Sequence, residues 1–320
     1  MRRIPAALAV LGLTALALVG CSTSGGSASC ERTPQNPQAL DAVSVSGDTD
    51  TEPTVTLDAA LYVGETSFAD LDEGHGLPIT SAAQDVALGV TVFNGATGEK
   101  VAGVGYDADS TVLPLALWEE AFPGFSAALH CAAAGTRVAM LLPTDEIAED
   151  TRATLALADG ASAVVVVDVR TVYLAAANGT PQFNDRAGMP SVVLAPNGQP
   201  GVTIPDSAPP DELVVQVLKK GDGEKVTDDA QVRIQYTGLT WATGDVFDSS
   251  WERGQSQSLT LASTIPGFAQ ALEGQTVGSQ ILAVIPPDLG YGDQDQGTIP
   301  AGSTLVFVVD ILGLDEVSTG

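Results

Sequence analysis

Positive charge is scarce in this chain. Thirteen Lys and Arg stand against 40 Asp and Glu over 320 residues, a formal net charge of −27. Such a surface repels phosphate backbones and anionic headgroups, which argues against nucleic-acid binding. There are only two His, and neither belongs to a Cys/His cluster, so no metal site is expected. Long apolar runs are also rare. The single one, Ile4–Val19, is about 16 residues and short for a stable membrane span. The remaining 44% hydrophobic content is spread over a chain long enough for about two domains.

Arg2-Arg3, the apolar run and the small residues closing it describe an export signal rather than a fold element. Leu18-Val19-Gly20-Cys21 resembles a bacterial lipobox. That resemblance implies cleavage before Cys21, lipidation of its thiol, and a lipid-anchored, extracytoplasmic protein on the outer face of the cell membrane. Residues 1–20 are then a lipoprotein signal peptide. Residues 21–41, rich in Ser, Gly, Thr, Pro, Asn and Gln, cannot bury enough apolar surface to fold and are expected to form a flexible tether. With Cys21 lipidated, Cys30 and Cys131 remain, as two independent thiols or as a pair. A disulfide between them is the expectation, because disulfides persist outside the membrane.

The chain repeats itself at an interval near 145 residues, a separation read from the sequence. Glu52-Pro53-Thr54-Val55-Thr56-Leu57 matches Gln199-Pro200-Gly201-Val202-Thr203-Ile204, and Pro123-Gly124-Phe125 matches Pro266-Gly267-Phe268. Gly135-Thr136-Arg137-Val138 matches Gly278-Ser279-Gln280-Ile281, and Val166-Val167-Asp168-Val169 matches Val308-Val309-Asp310-Ile311. Matches in one order at nearly one offset indicate two copies of one globular domain. They are placed at 42–175 and 189–316, with a linker at 176–188. Within the second copy Val232, Ile234 and Tyr236 alternate with polar residues, as in a strand with one buried face. Thr304–Ile311 reads as a central strand. Pro266–Glu273, opened by Pro and followed by Gly274, reads as a short helix. The class is α+β.

Five segments of the second copy carry Tyr236-Thr237-Gly238, Phe247-Asp248-Ser249-Ser250, Ile265-Pro266-Gly267-Phe268, Tyr291-Gly292 and Thr304-Leu305-Val306-Phe307. Aromatic and apolar residues in segments so far apart suit one shared apolar pocket. In this order the series resembles the FKBP-type peptidyl-prolyl isomerases over about the last 105 residues of the sequence. The resemblance implies two tandem FKBP-like domains, each an antiparallel sheet wrapped around a short helix. It also implies an enzyme that needs no cofactor, acting as a monomer.

The resemblance assigns roles as well. Phe268 is the pocket floor under the prolyl ring, where the family more often has Trp. Tyr236, Phe247, Ile265 and Phe307 are walls, and Ile299 is the apolar residue of the loop above. Tyr291 bonds the substrate carbonyl. Asp248 is the buried carboxylate beside the reacting amide, with Arg253 as its charge partner. Gln257 stands where many members carry another aromatic wall. Asp248, Tyr291 and Phe268 are thus the expected catalytic residues; Tyr236, Phe247, Arg253, Ile265, Ile299 and Phe307 are the expected substrate-binding ones.

Such a pocket suits the chemistry. Twisting an X–Pro amide loses resonance and faces about 18–20 kcal/mol. The twisted amide is less polar than the planar one, so a dry aromatic site favours it without a covalent intermediate. The expected partners are X–Pro segments of exported proteins, whose folding the enzyme assists, and the macrolide inhibitors of the family. The alternative is a non-catalytic holdase or docking lipoprotein.

The first copy departs from the pattern. It places Val101-Ala102 opposite Phe247-Asp248, Ile147 opposite Tyr291 and Val165 opposite Phe307, while Phe125 is retained opposite Phe268. It reads as a degenerate FKBP-like domain, much less active, with weak binding of unfolded chains expected around Phe125.

Overall fold

Apolar residues here run in strands too continuous for a one-sided sheet, and the architecture shows why. The computed structural model describes residues 30–106, 111–157 and 160–315. The expected signal peptide, residues 1–20, and the expected lipidation site Cys21 lie outside the described residues. Residues 1–31 and 32–320 separate as two units, and the second holds both large sheets. Cys30 and Cys131 are both disulfide-bonded, so the independent-thiol alternative falls away.

The first lobe runs β1 (Val43–Ser46), β2 (Thr54–Leu57), β3 (Ser67–Asp72), β4 (Asp85–Asn94), β5 (Lys100–Val104), β6 (Val112–Pro114), α1 (Leu115–Ala121), α2 (Phe125–Leu129), β7 (Arg137–Pro143), α3 (Glu149–Thr154) and β8 (Ser162–Val172). The second runs β9 (Thr180–Pro181), β10 (Ser191–Leu194), β11 (Pro200–Thr203), β12 (Val214–Lys220), β13 (Gln231–Thr240), β14 (Val246–Ser249), α4 (Ser250–Arg253), β15 (Gln257–Thr260), α5 (Pro266–Leu272), β16 (Gln280–Ile285) and β17 (Leu305–Asp315).

The two sheets share one topology. The first has the order β3-β7-β8-β4-β5, with β6 also on β4. The second has β12-β16-β17-β13-β14, with β15 also on β13 and β9 added beyond β12. All named pairings are antiparallel. Register agrees as well. Val92 faces Ala102 on one side and Val165 on the other, as Gly238 faces Asp248 and Phe307. The repeat in the sequence is therefore a repeat of the ladder.

Each sheet is covered on both faces. Val165, Val167 and Val169 of β8 point to the side of α2, with Phe125 and Leu129. Val164 and Val166 point to the other side, where they meet Leu40, Val55 and residues of the β1–β2 hairpin. In β17, Leu305, Phe307, Val309 and Ile311 share a core with Phe268 and Leu272 of α5. Val306 and Val308 meet Val192 and Val202 of the β10–β11 hairpin on the opposite face. Two-sided burial explains why both strands read as unbroken apolar runs rather than alternating ones.

Three expectations change. Strand β13 is not exposed on its polar face, since Arg233, Gln235 and Thr237 are buried. The other lobe and neighbouring polar side chains cover them. The tether ends before residue 41. Gln35 and Phe68 exchange backbone hydrogen bonds of 3.1 and 2.9 Å, and Leu40 is buried on the first sheet. Burying Leu40 contributes about 1.5–3 kcal/mol toward holding this stretch against the sheet, alongside those backbone bonds. The 176–188 stretch is not a free linker either. Ala177 N–H donates to Asp310 Oδ2 at 2.8 Å, Gly179 N–H to the Gly278 carbonyl at 2.9 Å, and Thr180–Pro181 pairs with β12.

Candidate functional site

β13 and β17 lie side by side in the middle of the second sheet, and their inward residues set the site. Phe307 sits opposite Gly238. A β-carbon on Gly238 would meet the Phe247 ring at 2.7 Å and the Phe307 ring at 2.8 Å, so glycine is what lets the two rings close over the strand. Phe247 and Phe307 are edge-to-face at 5.5 Å, and Phe268 and Phe307 at 4.9 Å. Tyr236 stands 6.5 Å from Phe268 and 6.4 Å from Phe307. These spacings fall within the range aromatic pairs prefer.

The floor comes from α5. Pro266 opens this two-turn helix, and Gly267 packs its backbone against Ile285, whose side chain would lie 2.4 Å from an added β-carbon. That close seat directs Phe268 into the cluster, where it is buried. Ile265, immediately before the helix, is partly buried against the same cluster, as are Leu289 and Tyr291. Ile299 is buried there too, at a tight turn in which Gln296 and Ile299 exchange backbone hydrogen bonds of 2.9 Å. The Tyr291 hydroxyl has no hydrogen-bond partner among the described residues. Gln257 is exposed on β15.

Polar groups gather at the rim. The Tyr236 hydroxyl donates to Asp248 Oδ2, and Arg253 Nη1 donates to Asp248 Oδ1. Arg253 Nη2 donates to the Tyr236 oxygen at 3.2 Å, and the guanidinium lies 5.6 Å from the Tyr236 ring centre. Burial and the bond to Asp248 push the Tyr236 phenol above its ordinary value, so it stays a donor through the neutral range. Asp248 itself is not buried: its side chain is 40% exposed and that of Arg253 44%. The expectation of a buried carboxylate is corrected here. Asp248 sits at the mouth, where water shares the cost of its charge with Arg253 and Tyr236. An ion pair this exposed adds little stability; its effect is to hold orientation.

Tyr236, Phe247, Ile265, Phe268, Tyr291, Ile299 and Phe307 thus share one core with Asp248 and Arg253 at its rim, while Gln257 stands apart from it. What the sequence reading missed is the frame beneath it. Ser250 is fully buried, accepts the Tyr236 N–H at 2.8 Å and donates to Gln235 Oε1. It stands in the Asp248-Ser249-Ser250 motif, but nothing in the motif tells a backbone-holding serine from a turn former.

The corresponding place in the first lobe is filled. Phe122 and Phe125 stack at 4.9 Å, and Phe125 is 0% exposed. Ile147, Leu155 and Leu157 are buried in the same core, with Val101, Ala102 and Trp118 packed against it. An open apolar surface around Phe125 is therefore contradicted. Counted from the short 3-10 turns Thr144–Glu146 and Pro287–Leu289, Ile147 corresponds to Gly290, one residue before Tyr291.

The family model described as FKBP-type peptidyl-prolyl cis-trans isomerase matches residues 222–312. A probable FK506-binding protein of Corynebacterium glutamicum is 33% identical over 114 residues, covering 36% of this chain and 97% of that protein. An FK506-binding protein of Streptomyces anulatus is 34% identical over 120 residues, with 36% and 97% covered. The crystal structure of FkpA from Escherichia coli matches at 34% identity over 41% of this chain and 53% of that one, with a TM-score of 0.32.

Proposed function

The chain belongs to the FKBP-type peptidyl-prolyl cis-trans isomerases and is an enzyme of that type, and we propose that its turnover takes place at the aromatic cluster of the second lobe, hereafter the hollow. The observation that carries this reading is convergence. Five separated segments bring Tyr236, Phe247, Phe268, Ile299 and Phe307 into one core, with Asp248 and Arg253 at its mouth.

In this reading the prolyl ring sits on Phe268 between Phe307 and Tyr236, and Phe247 closes the side nearest the rim. The apolar enclosure withholds the hydrogen bonds that water gives a planar amide and so lowers the relative cost of the twisted one. In the same reading Tyr291, partly buried against this core, donates its hydroxyl to the substrate carbonyl. The Asp248–Arg253–Tyr236 network keeps the rim from collapsing onto the floor. The family's macrolides would occupy the same hollow.

The first lobe is a second FKBP-like domain whose pocket is closed by its own side chains. Its register partner of Asp248 is Ala102, and the core position of Phe307 is Val165. The protein would work on X–Pro segments of exported chains, held to the membrane by lipid on Cys21. Those bonds take tens to hundreds of seconds to isomerise unassisted.

The test is a protease-coupled assay on X–Pro peptides with the full chain. Asp248→Asn and Tyr291→Phe should each lower kcat/KM at least about tenfold, a barrier change of roughly 1.4 kcal/mol. Unchanged turnover in both would move catalysis away from this hollow. Absent turnover in wild type, with suppression of client aggregation, would instead support a holdase. Mass spectrometry of the mature N-terminus tests the anchor: a start downstream of Cys21 without lipid mass would end that part of the proposal.

A further inference from the structure

Arg253 hangs on a poor support. It is the last residue of α4, a single turn of four residues. Helices this short do not hold their shape unaided, because nucleation costs more than one turn returns. Something outside α4 must fix both its ends.

The front end is fixed by Ser250, whose buried hydroxyl takes the Tyr236 N–H in place of a strand partner. The rear end leads through Gly254, in the left-handed region at φ +69, to Ser256. Ser256 is where the other lobe enters. Its hydroxyl donates to Oδ2 of Asp85, the first residue of β4. It also accepts from Arg233 Nη1 at 3.0 Å. Arg233 is itself held on every side. Its Nε and Nη2 bond Asp315 at 3.0 and 2.9 Å, its Nη1 lies 3.7 Å from Asp85, and the Tyr173 ring lies 4.7 Å away. Asp85 is fixed in turn by its own strand and by the Tyr173 N–H, which donates to its carbonyl at 3.0 Å. Asp85 is only 4% exposed, so this carboxylate has little room to swing.

We infer that Asp85 of the first lobe is a positioning residue for the isomerase site, acting through the Ser256 hydroxyl to hold α4 and thereby Arg253 against Asp248 and Tyr236. The first lobe, with its own hollow filled, thus contributes a residue to the working of the second. This rests on the second-lobe hollow being the place of turnover.

Two measurements on the full chain decide it. The first is a double-substitution cycle in the X–Pro assay. Asp85→Ala should lower kcat/KM about fivefold in the wild-type background and less than about twofold in an Arg253→Ala background. Loss by the same factor in both backgrounds, or no loss in the first, overturns the inference. The second needs no turnover. Amide exchange at Gly254 and Gln255 should quicken at least about tenfold in Asp85→Ala, while exchange in β16 stays unchanged. Unchanged exchange at Gly254 and Gln255 also overturns it. Should Asp85→Ala fail to fold, Ser256→Ala removes the same link from a partly exposed site and is subject to the same outcomes. Inactive wild type with quickened exchange in the variant would sink the isomerase site and leave the clamp standing.

Discussion

At the scale of single residues, the site depends on what is absent as much as on what is present. Gly238 is one case. An alanine there would drive its β-carbon into two aromatic rings that already touch. Gly238→Ala should therefore spread Phe247 from Phe307, cost about 1–3 kcal/mol of stability as overpacking does, and lower kcat/KM. Urea unfolding and the X–Pro assay check both, and a variant as stable and active as wild type would show that the rings have room to spare. That Tyr236, Phe247, Phe268 and Phe307 meet in one core was legible in the sequence, because order and residue type pointed to one apolar place. Their exposure was not. Asp248 reads in sequence like a buried carboxylate, yet it lies at the mouth, since whether a charge meets water depends on what the rest of the chain leaves uncovered. Phe125 shows the converse: the motif it shares with Phe268 survives, but Phe122, standing where the second copy has Ile265, stacks on it, and Leu155 and Leu157 are buried in the same core.

At the scale of elements, each lobe adds a hairpin to the outer face of its sheet, and in the first lobe that hairpin is pinned by a buried ion pair. Arg137 bonds Asp168 through Nε at 2.6 Å and Nη2 at 2.8 Å. It also donates to the carbonyls of Gly47, Asp48 and Thr51 in the β1–β2 turn. The Tyr106 hydroxyl donates to the same carboxylate at 2.6 Å. Asp168→Ala would leave a buried guanidinium without its counter-charge. Stability should fall by about 3–5 kcal/mol, read by denaturant unfolding, and proteolysis should begin in the turn at residues 47–51. A loss below about 1 kcal/mol would mean that water reaches Arg137 in the variant and takes the place of the carboxylate. In the second sheet the paired positions hold Gln280 and Asp310, bonded at 2.6 Å, and Asp310 turns its other oxygen to the Ala177 N–H. The hairpins appear in the sequence as matched Pro-containing strands. Their placement does not, because a hairpin on a sheet and a free one have the same local pattern.

At the scale of the whole molecule, the lobes meet through charge. Burial pushes the Asp85 carboxyl above its ordinary value, with Asp315 adding to the rise and Arg233 and Ser256 opposing it. A carboxylate raised in the folded state stabilises the fold below its unfolded value, near 3.9, and that contribution is lost as pH rises through the folded value. Asp85→Asn removes this titration. The melting temperature of the variant minus that of wild type should therefore become more positive as pH rises from about 4 toward neutrality. A difference that falls with pH would mean the Arg233 and Ser256 partners outweigh burial. Two-site behaviour is not expected from the two copies: titration with a macrolide of the family should saturate at one molecule per chain, and a second equivalent would reopen the first hollow. That the chain holds two sheets of one strand order was legible in the repeat. That they are locked was not, since Tyr173, Asp85 and Arg233 are ordinary residues until the fold brings them together. The run from β8 through Tyr173 to Ala177 and β9 leaves no slack between the lobes. Two lobes of one strand order in a single chain commonly behave as two beads on a string, each turning at its own rate. Here rotational diffusion should have a single value, that of a particle the size of both lobes together. A peptide held in the second hollow would therefore see the first lobe as a fixed wall rather than a moving neighbour.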